Sequence, residues 1–211
     1  MLIVAFVNFK GGSGKTTLAH HFAVAGSEEG LRVLAVDTDE QADLYRRLAS
    51  LRDHPEDRPP VKWAPGCLGL YSPGEWVLPQ PSFDLVVVDS APKRGLPSGP
   101  IPHVVVVPID GWDAGLNAND TVARALDAGV RLVILVRNGT AEGGRKFVRE
   151  FAHLGDGGQV VVCDVDVPRA ASIKRSAYTC KAAWRDPFKE AGSKRILAAC
   201  RWLLHRSQEA A

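Results

Sequence analysis

The 211 residues carry 26 Lys+Arg against 24 Asp+Glu and are 45% hydrophobic, which fits one sizeable domain with a real core, or at most a domain with a small elaboration, and nothing in them resembles a low-complexity tail. Apolar runs such as Leu85–Val88 and Val104–Val107 fall far short of the ~18 residues of a membrane span, and four scattered cysteines without a CxxC pair predict reduced thiols rather than a disulfide framework. The charge is unevenly spread. Residues 1–129 hold 11 basic and 16 acidic side chains, whereas residues 130–211 hold 15 and 8, so the second part suits either an anionic partner or a solvated basic surface.

In chain order, the apolar run Leu2–Asn8 lacks a basic leader and feeds straight into a glycine-rich loop, so it predicts a buried strand rather than a signal peptide. A helix follows over Thr16–Glu29, closing near Gly30, then a second strand over Leu31–Val36 and a helix starting near Ala42. The proline-rich stretch Arg52–Pro60 predicts an exposed connection. Leu85–Asp89, Val104–Pro108, Leu132–Arg137 and Val160–Cys163 predict further strands. Asn117–Ala128, Gly144–Ala152, Ala170–Cys180 and Phe188–His205 predict helices. Uniformly apolar strands alternating with helices imply an α/β fold, a mostly parallel sheet covered by helices on both faces. No repeat or boundary divides it, so residues 1–211 read as one domain.

The segment "GGSGKTT" (Gly11–Thr17) ends a strand and opens a helix, the context in which a glycine loop cradles phosphates. Its glycines let backbone N–H groups converge, Lys15 is placed for the β- and γ-phosphates, and the Thr16 hydroxyl for Mg²⁺. Asp89 ends the run Leu85–Val88 at the sheet's carboxyl edge, where a metal-linked carboxylate belongs. Asp37 and Asp39 follow the second strand. One carboxylate there suits Mg²⁺ and the other an attacking water, the alternative for both being a helix-capping role.

"KGGSGKTT", "VDTDEQADL" and "DLVVVDSAP" together resemble the deviant Walker A, aspartate and Walker B motifs of the ParA/MinD family of P-loop ATPases, and most of all its short ParA (ParF-like) partition members. The resemblance implies ATP and Mg²⁺ as cofactors and an ATP-dependent homodimer. It gives Lys10 a role across the dimer on the partner's phosphates, which would explain a second lysine in the loop. It places Asp39 at the hydrolytic water and Asp89 on the Mg²⁺. It sets Asn138 and Pro168 beside adenine. The sequence departs from the family at Glu40, where relatives usually carry proline. It departs again in "SAPKRGLPSGPIPH", too proline-rich for the helix often found after the Walker B strand.

The resemblance implies a cytoplasmic, nucleoid-associated partition or positioning ATPase. Such a protein binds duplex DNA without sequence preference and is stimulated by a ParB-like partner. The basic stretch "PRAASIKRSAYTCKAAWR", with Arg169, Lys174, Arg175, Lys181 and Arg185, is the candidate DNA surface. A MinD-like membrane-cycling ATPase is the alternative, since Ile196, Leu197, Cys200, Leu203 and Leu204 line one face of the last helix. A tyrosine kinase of the same loop type would need a tyrosine cluster that Tyr45, Tyr71 and Tyr178 do not form. Iron–sulfur relatives would need cysteines placed otherwise. His20 and His21 read as packing or surface residues of the first helix.

Overall fold

A computed structural model describes residues 1–51, 58–77, 83–93, 95–139, 158–187 and 190–211, with the backbone alone at 111–116. Among the described residues, eight strands form one sheet: β1 (Leu2–Phe6), β2 (Val33–Asp37), β3 (Val61–Ala64), β4 (Cys67–Tyr71), β5 (Leu85–Asp89), β6 (Val104–Ile109), β7 (Leu132–Arg137) and β8 (Val160–Val162), in the spatial order β3-β4-β2-β5-β1-β6-β7-β8. All neighbours are parallel except the edge pair β3/β4. The helices are α1 (Lys15–Glu28), α2 (Asp43–Ala49), α3 (Gly111–Asp127), α4 (Ala171–Thr179) and α5 (Ala191–Glu209), with a 3₁₀ turn at Ala183–Arg185.

Because the side chains of a strand alternate, the central strand β1 feeds two cores. Leu2, Val4 and Phe6 join Leu18 and Phe22 of α1, Leu44 of α2 and Ile196 and Leu203 of α5 on one face. Ile3, Ala5 and Val7 join Ala118 and Val122 of α3 on the other. Every residue of β1, β2, β5 and β6 is buried, which is why these strands read as unbroken apolar runs.

Several expected boundaries shift. The helix expected from Asn117 begins at Gly111, six residues earlier, through two glycines that weaken the helical signal. The last helix runs Ala191–Glu209 rather than Phe188–His205. Strands β3 and β4 have no counterpart in the sequence reading, being short and only partly buried. The helix expected over Gly144–Ala152 lies outside the described residues. Among the described residues, 90–102 contain no helix, as the prolines require.

Candidate functional site

The loop between β1 and α1 sits at the carboxyl edge of the sheet, where β1 is flanked by β5 and β6. Asn8, fully buried, anchors its base. Its amide donates to the Pro108 carbonyl (2.8 Å), and its carbonyl oxygen accepts the Lys10 N–H (2.9 Å). Gly12 (φ 74°) and Gly14 (φ 96°) take the left-handed conformations that turn successive N–H groups inward. Gly14 is also sterically required, because the Asn138 amide donates to the Ser13 carbonyl at 2.7 Å and a Cβ on Gly14 would lie on top of that nitrogen. Thus the end of β7 closes against the loop.

Lys15 is buried, and its ammonium donates to the Lys10 carbonyl at 3.2 Å. Burial draws its pKa down, while Asp89 and Asp39 hold it up. The ammonium is therefore folded back on its own loop. Lys10, one step before the glycines, is half-buried.

Asp37 and Asp89 are partners in the β2/β5 register, so their carboxylates stand side by side, both fully buried. Their surroundings differ. Asp37 accepts the N–H groups of Asp39 (3.0 Å) and Tyr45 (2.9 Å), and so caps the start of α2, whose own cap position is the alanine Ala42. Burial raises its pKa to about 6 against those hydrogen bonds. No well-directed hydrogen bond reaches either oxygen of Asp89 among the described residues, although the Thr16 hydroxyl stands close enough to act on it. Burial, then Asp37, drives its pKa well up, with Thr16, Lys15 and Arg47 pulling it back. A buried carboxylate with open oxygens beside a hydroxyl suits a hard divalent cation. Asp89 and Thr16 fit Mg²⁺, with Asp37 adjacent. Asp39 is half-buried beyond them, and its side chain accepts the Gln41 N–H (3.0 Å).

A cleft of ≈ 520 Å³ leads from Gly12, Gly14 and Thr17 to Asn138, Gly139 and Pro168, so both residues expected at the base share one cavity with the loop. Arg169 lines the same cleft and is held by both oxygens of Asp110 (2.9 and 3.0 Å). The other basic residues divide. Arg175 pairs with Asp186 and Glu190, and Arg185 with Glu28. Lys174 and Lys181 are exposed and make no ion pair among the described residues.

Three contributors escape the sequence. Arg47 of α2 donates to the Thr17 hydroxyl (3.3 Å). Asp110 fixes Arg169. His21, read only as packing or surface, is fully buried and bridges elements: Nδ1 faces the Thr17 carbonyl (2.7 Å) and Nε2 accepts the Ala183 N–H (3.0 Å). That pattern puts the proton on Nδ1, and Trp184 lies against the ring at 5.5 Å. None carries a sufficient local signal: Arg47, Asp110 and the Nε2 side of His21 each meet a partner 30 or more residues away, and only the Thr17 carbonyl lies within one helical turn of His21. Glu40, at the family's usual proline, is exposed and pairs loosely with Lys93 (3.9 Å).

Solved structures share this fold at low identity. MinD of Pyrococcus furiosus aligns at a TM-score of 0.67 and 16% identity, covering 97% of this chain and 99% of that one. McdA of Cyanothece, in an ATP complex, aligns at 0.65 and 12%, covering 96% of each. Cobyrinic acid a,c-diamide synthase of Mycobacterium smegmatis, with an ATP analogue and magnesium, aligns at 0.64 and 18%, covering 100% and 97%. A Sinorhizobium fredii protein provisionally named replication protein A is 62% identical over 42 residues, 20% of this chain and only 10% of that protein. The model of the CobQ/CobB/MinD/ParA nucleotide-binding domain matches residues 4–206, nearly the whole chain including every loop residue above, and the chain belongs to that family.

Proposed function

We propose that the protein is an Mg²⁺-dependent ATPase of the partition and positioning type, closing as a nucleotide-sandwich homodimer that binds duplex DNA without sequence preference. The observation that carries the ATPase reading is the buried, open Asp89 carboxylate beside Lys15 and Thr16, at the mouth of a loop whose cleft extends to Asn138 and Pro168. Lys15, released from the Lys10 carbonyl, neutralises the terminal phosphates, and loop N–H groups fix them. Thr16 and Asp89, beside Asp37, would hold the metal, which would supply charge neutralisation. Asp39 orients the water. Lys10 reaches the facing subunit's phosphates, making the nucleotide part of the interface.

For DNA, Lys174 and Lys181 are the cations of the basic segment that make no ion pair among the described residues. Arg169, Arg175 and Arg185 already hold Asp110, Asp186, Glu190 and Glu28, so their contribution would be second to that of the lysines. The membrane alternative draws no support from α5, whose Ile196, Cys200, Leu203 and Leu204 are spent on the core. Among the described residues no helix is long and apolar enough to cross a membrane. A partner that triggers release, ParB-like in this reading, completes the cycle in the cytoplasm at the nucleoid. The test is duplex DNA binding with and without Mg-ATP at several salt concentrations. Binding should require ATP. Lys174→Ala or Lys181→Ala should each reduce the magnitude of the log K versus log salt slope by about 1.8, because the dimer carries two copies of each lysine and one neutralised phosphate is worth about 0.9. A protein that hydrolyses ATP yet never binds DNA would overturn the partition reading and keep the ATPase.

A further inference from the structure

Away from the metal carboxylates, a second cleft of ≈ 520 Å³ opens between α2 and α4, lined by Asp43, Arg46, Arg47 and Leu51 on one wall and Ala177, Tyr178 and Cys180 on the other. An adjoining cleft of ≈ 420 Å³ shares Tyr178 and Cys180 and adds Lys181 and Arg185. Both volumes lie in the range of small-molecule sites.

The charges around it do not cancel. Asp43 is taken by Arg46, Asp186 by Arg175, and Arg185 by Glu28. Arg47 is left with one long hydrogen bond, to the neutral Thr17 hydroxyl, and no ion pair among the described residues. Lys181 at the rim has none either. A guanidinium with five donors, half out of water, is normally paired with a carboxylate or phosphate. Burial weighs against its charge, with the nearby Asp43 and Asp89 carboxylates, neither ion-paired with it among the described residues, holding it up. Beside it, Tyr178 is 75% exposed and Leu51 38% exposed, an aromatic and an apolar surface at the mouth where the organic part of a ligand could rest.

We propose that the α2–α4 cleft is a second anion site, taking the phosphate of a small organic phosphate on Arg47, with Lys181 at the rim, Tyr178 against the remainder and Arg46 staying with Asp43. The site is separate from the glycine loop, although Tyr178 lines the clefts on both and Arg47 touches Thr17. Because Arg47 reaches both, a bound anion and a nucleotide in the loop would shift each other's affinity by the same factor.

The test removes the loop's own phosphate grip first. Pyrophosphate is titrated calorimetrically, at fixed ionic strength, into the Lys15→Ala chain, and saturable one-site binding is expected. Arg47→Gln should weaken it by at least about tenfold, the worth of one charge-assisted hydrogen bond. Tyr178→Glu, an exposed change that leaves the fold alone, should weaken it severalfold by setting a carboxylate at the mouth, and it decides the matter should Arg47→Gln fail to fold. No saturable binding in the Lys15→Ala chain, or binding indifferent to Tyr178→Glu and Arg47→Gln, would overturn the proposal. Displacement of pyrophosphate by a short DNA duplex at equal phosphate concentration would assign the arginines to a nucleic-acid backbone and overturn it too.

Discussion

His21 ties the loop helix to the basic segment, and its protonation should loosen that tie in a measurable window. Both ring nitrogens are engaged, one with the Thr17 carbonyl and one with the Ala183 N–H. A second proton on Nε2 would destroy the latter bond and bury a cation. Burial lowers the pKa from an ordinary 6.5 to about 4, with the Thr17 carbonyl opposing and Arg47 assisting. The unfolded chain therefore takes the proton first. Stability from this group is complete above pH 6.5 and lost as pH falls toward 4, to a limit of about 3 kcal/mol, with about 2 kcal/mol gone between pH 7 and pH 5. Other groups also titrate there. His20, pushed well down by burial, acts in the same direction, and Asp37, raised by burial, acts in the opposite one. The quantity to measure is therefore a difference: urea midpoints of wild type and His21→Gln, nucleotide-free, at pH 7 and pH 5. The cost of His21→Gln should shrink by about 2 kcal/mol at the lower pH. An equal cost at both values would show that His21 is not buried neutral between these partners.

The two loop lysines should separate. Lys15→Ala should abolish nucleotide binding, whereas Lys10→Ala should keep much of it and lose ATP-dependent dimerisation and hydrolysis, seen by light scattering and phosphate release; a Lys10→Ala chain that dimerises normally would refute its role across the interface. Asp39→Ala should bind Mg-ATP and remain a trapped dimer that hydrolyses very slowly, while failure to bind nucleotide would move Asp39 to the metal or the fold. Gly14→Ala combines a positive φ with a Cβ on top of the Asn138 amide, so thermal melts should show a loss of about 2–4 kcal/mol, and a chain as stable as wild type would mean the loop is not held as described.

What the sequence made legible depended on how far each interaction reaches. Strands β1, β5, β6 and β7 are buried on both faces, so their apolar runs announce them. β3 and β4 pair at an edge, with Lys62 exposed and Trp63 half-buried, and no run forms. The phosphate loop is a local arrangement of glycines and lysines, and Asp89 is marked by ending an apolar run. The difference between Asp37 and Asp89 is not local. It arises because α2 turns its N–H groups toward one carboxylate and leaves the other open. The basic segment shows the same limit most clearly. Arg185 meets Glu28 across 157 positions and Arg169 meets Asp110 across 59, so three of five apparent free cations prove to be paired within the chain.

The position of β1 has a consequence for how this chain comes into being. Its neighbours in the sheet are β5, whose Leu85 lies 83 residues beyond Leu2, and β6, whose Val104 lies 100 residues beyond Val4. Of the eight strands described, β1 is made before the others and is thus the last of the early ones to find an edge. At roughly 5–20 residues per second of synthesis, its apolar face waits on the order of 4–20 s for partners. Until then Leu2–Phe6 can only collapse against α1 and β2, which themselves need β5 to be joined into the sheet. Nascent-chain capture by hydrophobe-binding chaperones should be strongest before about residue 90 has emerged and should fade once β6 has done so, giving the protein a co-translational window of vulnerability set by its topology.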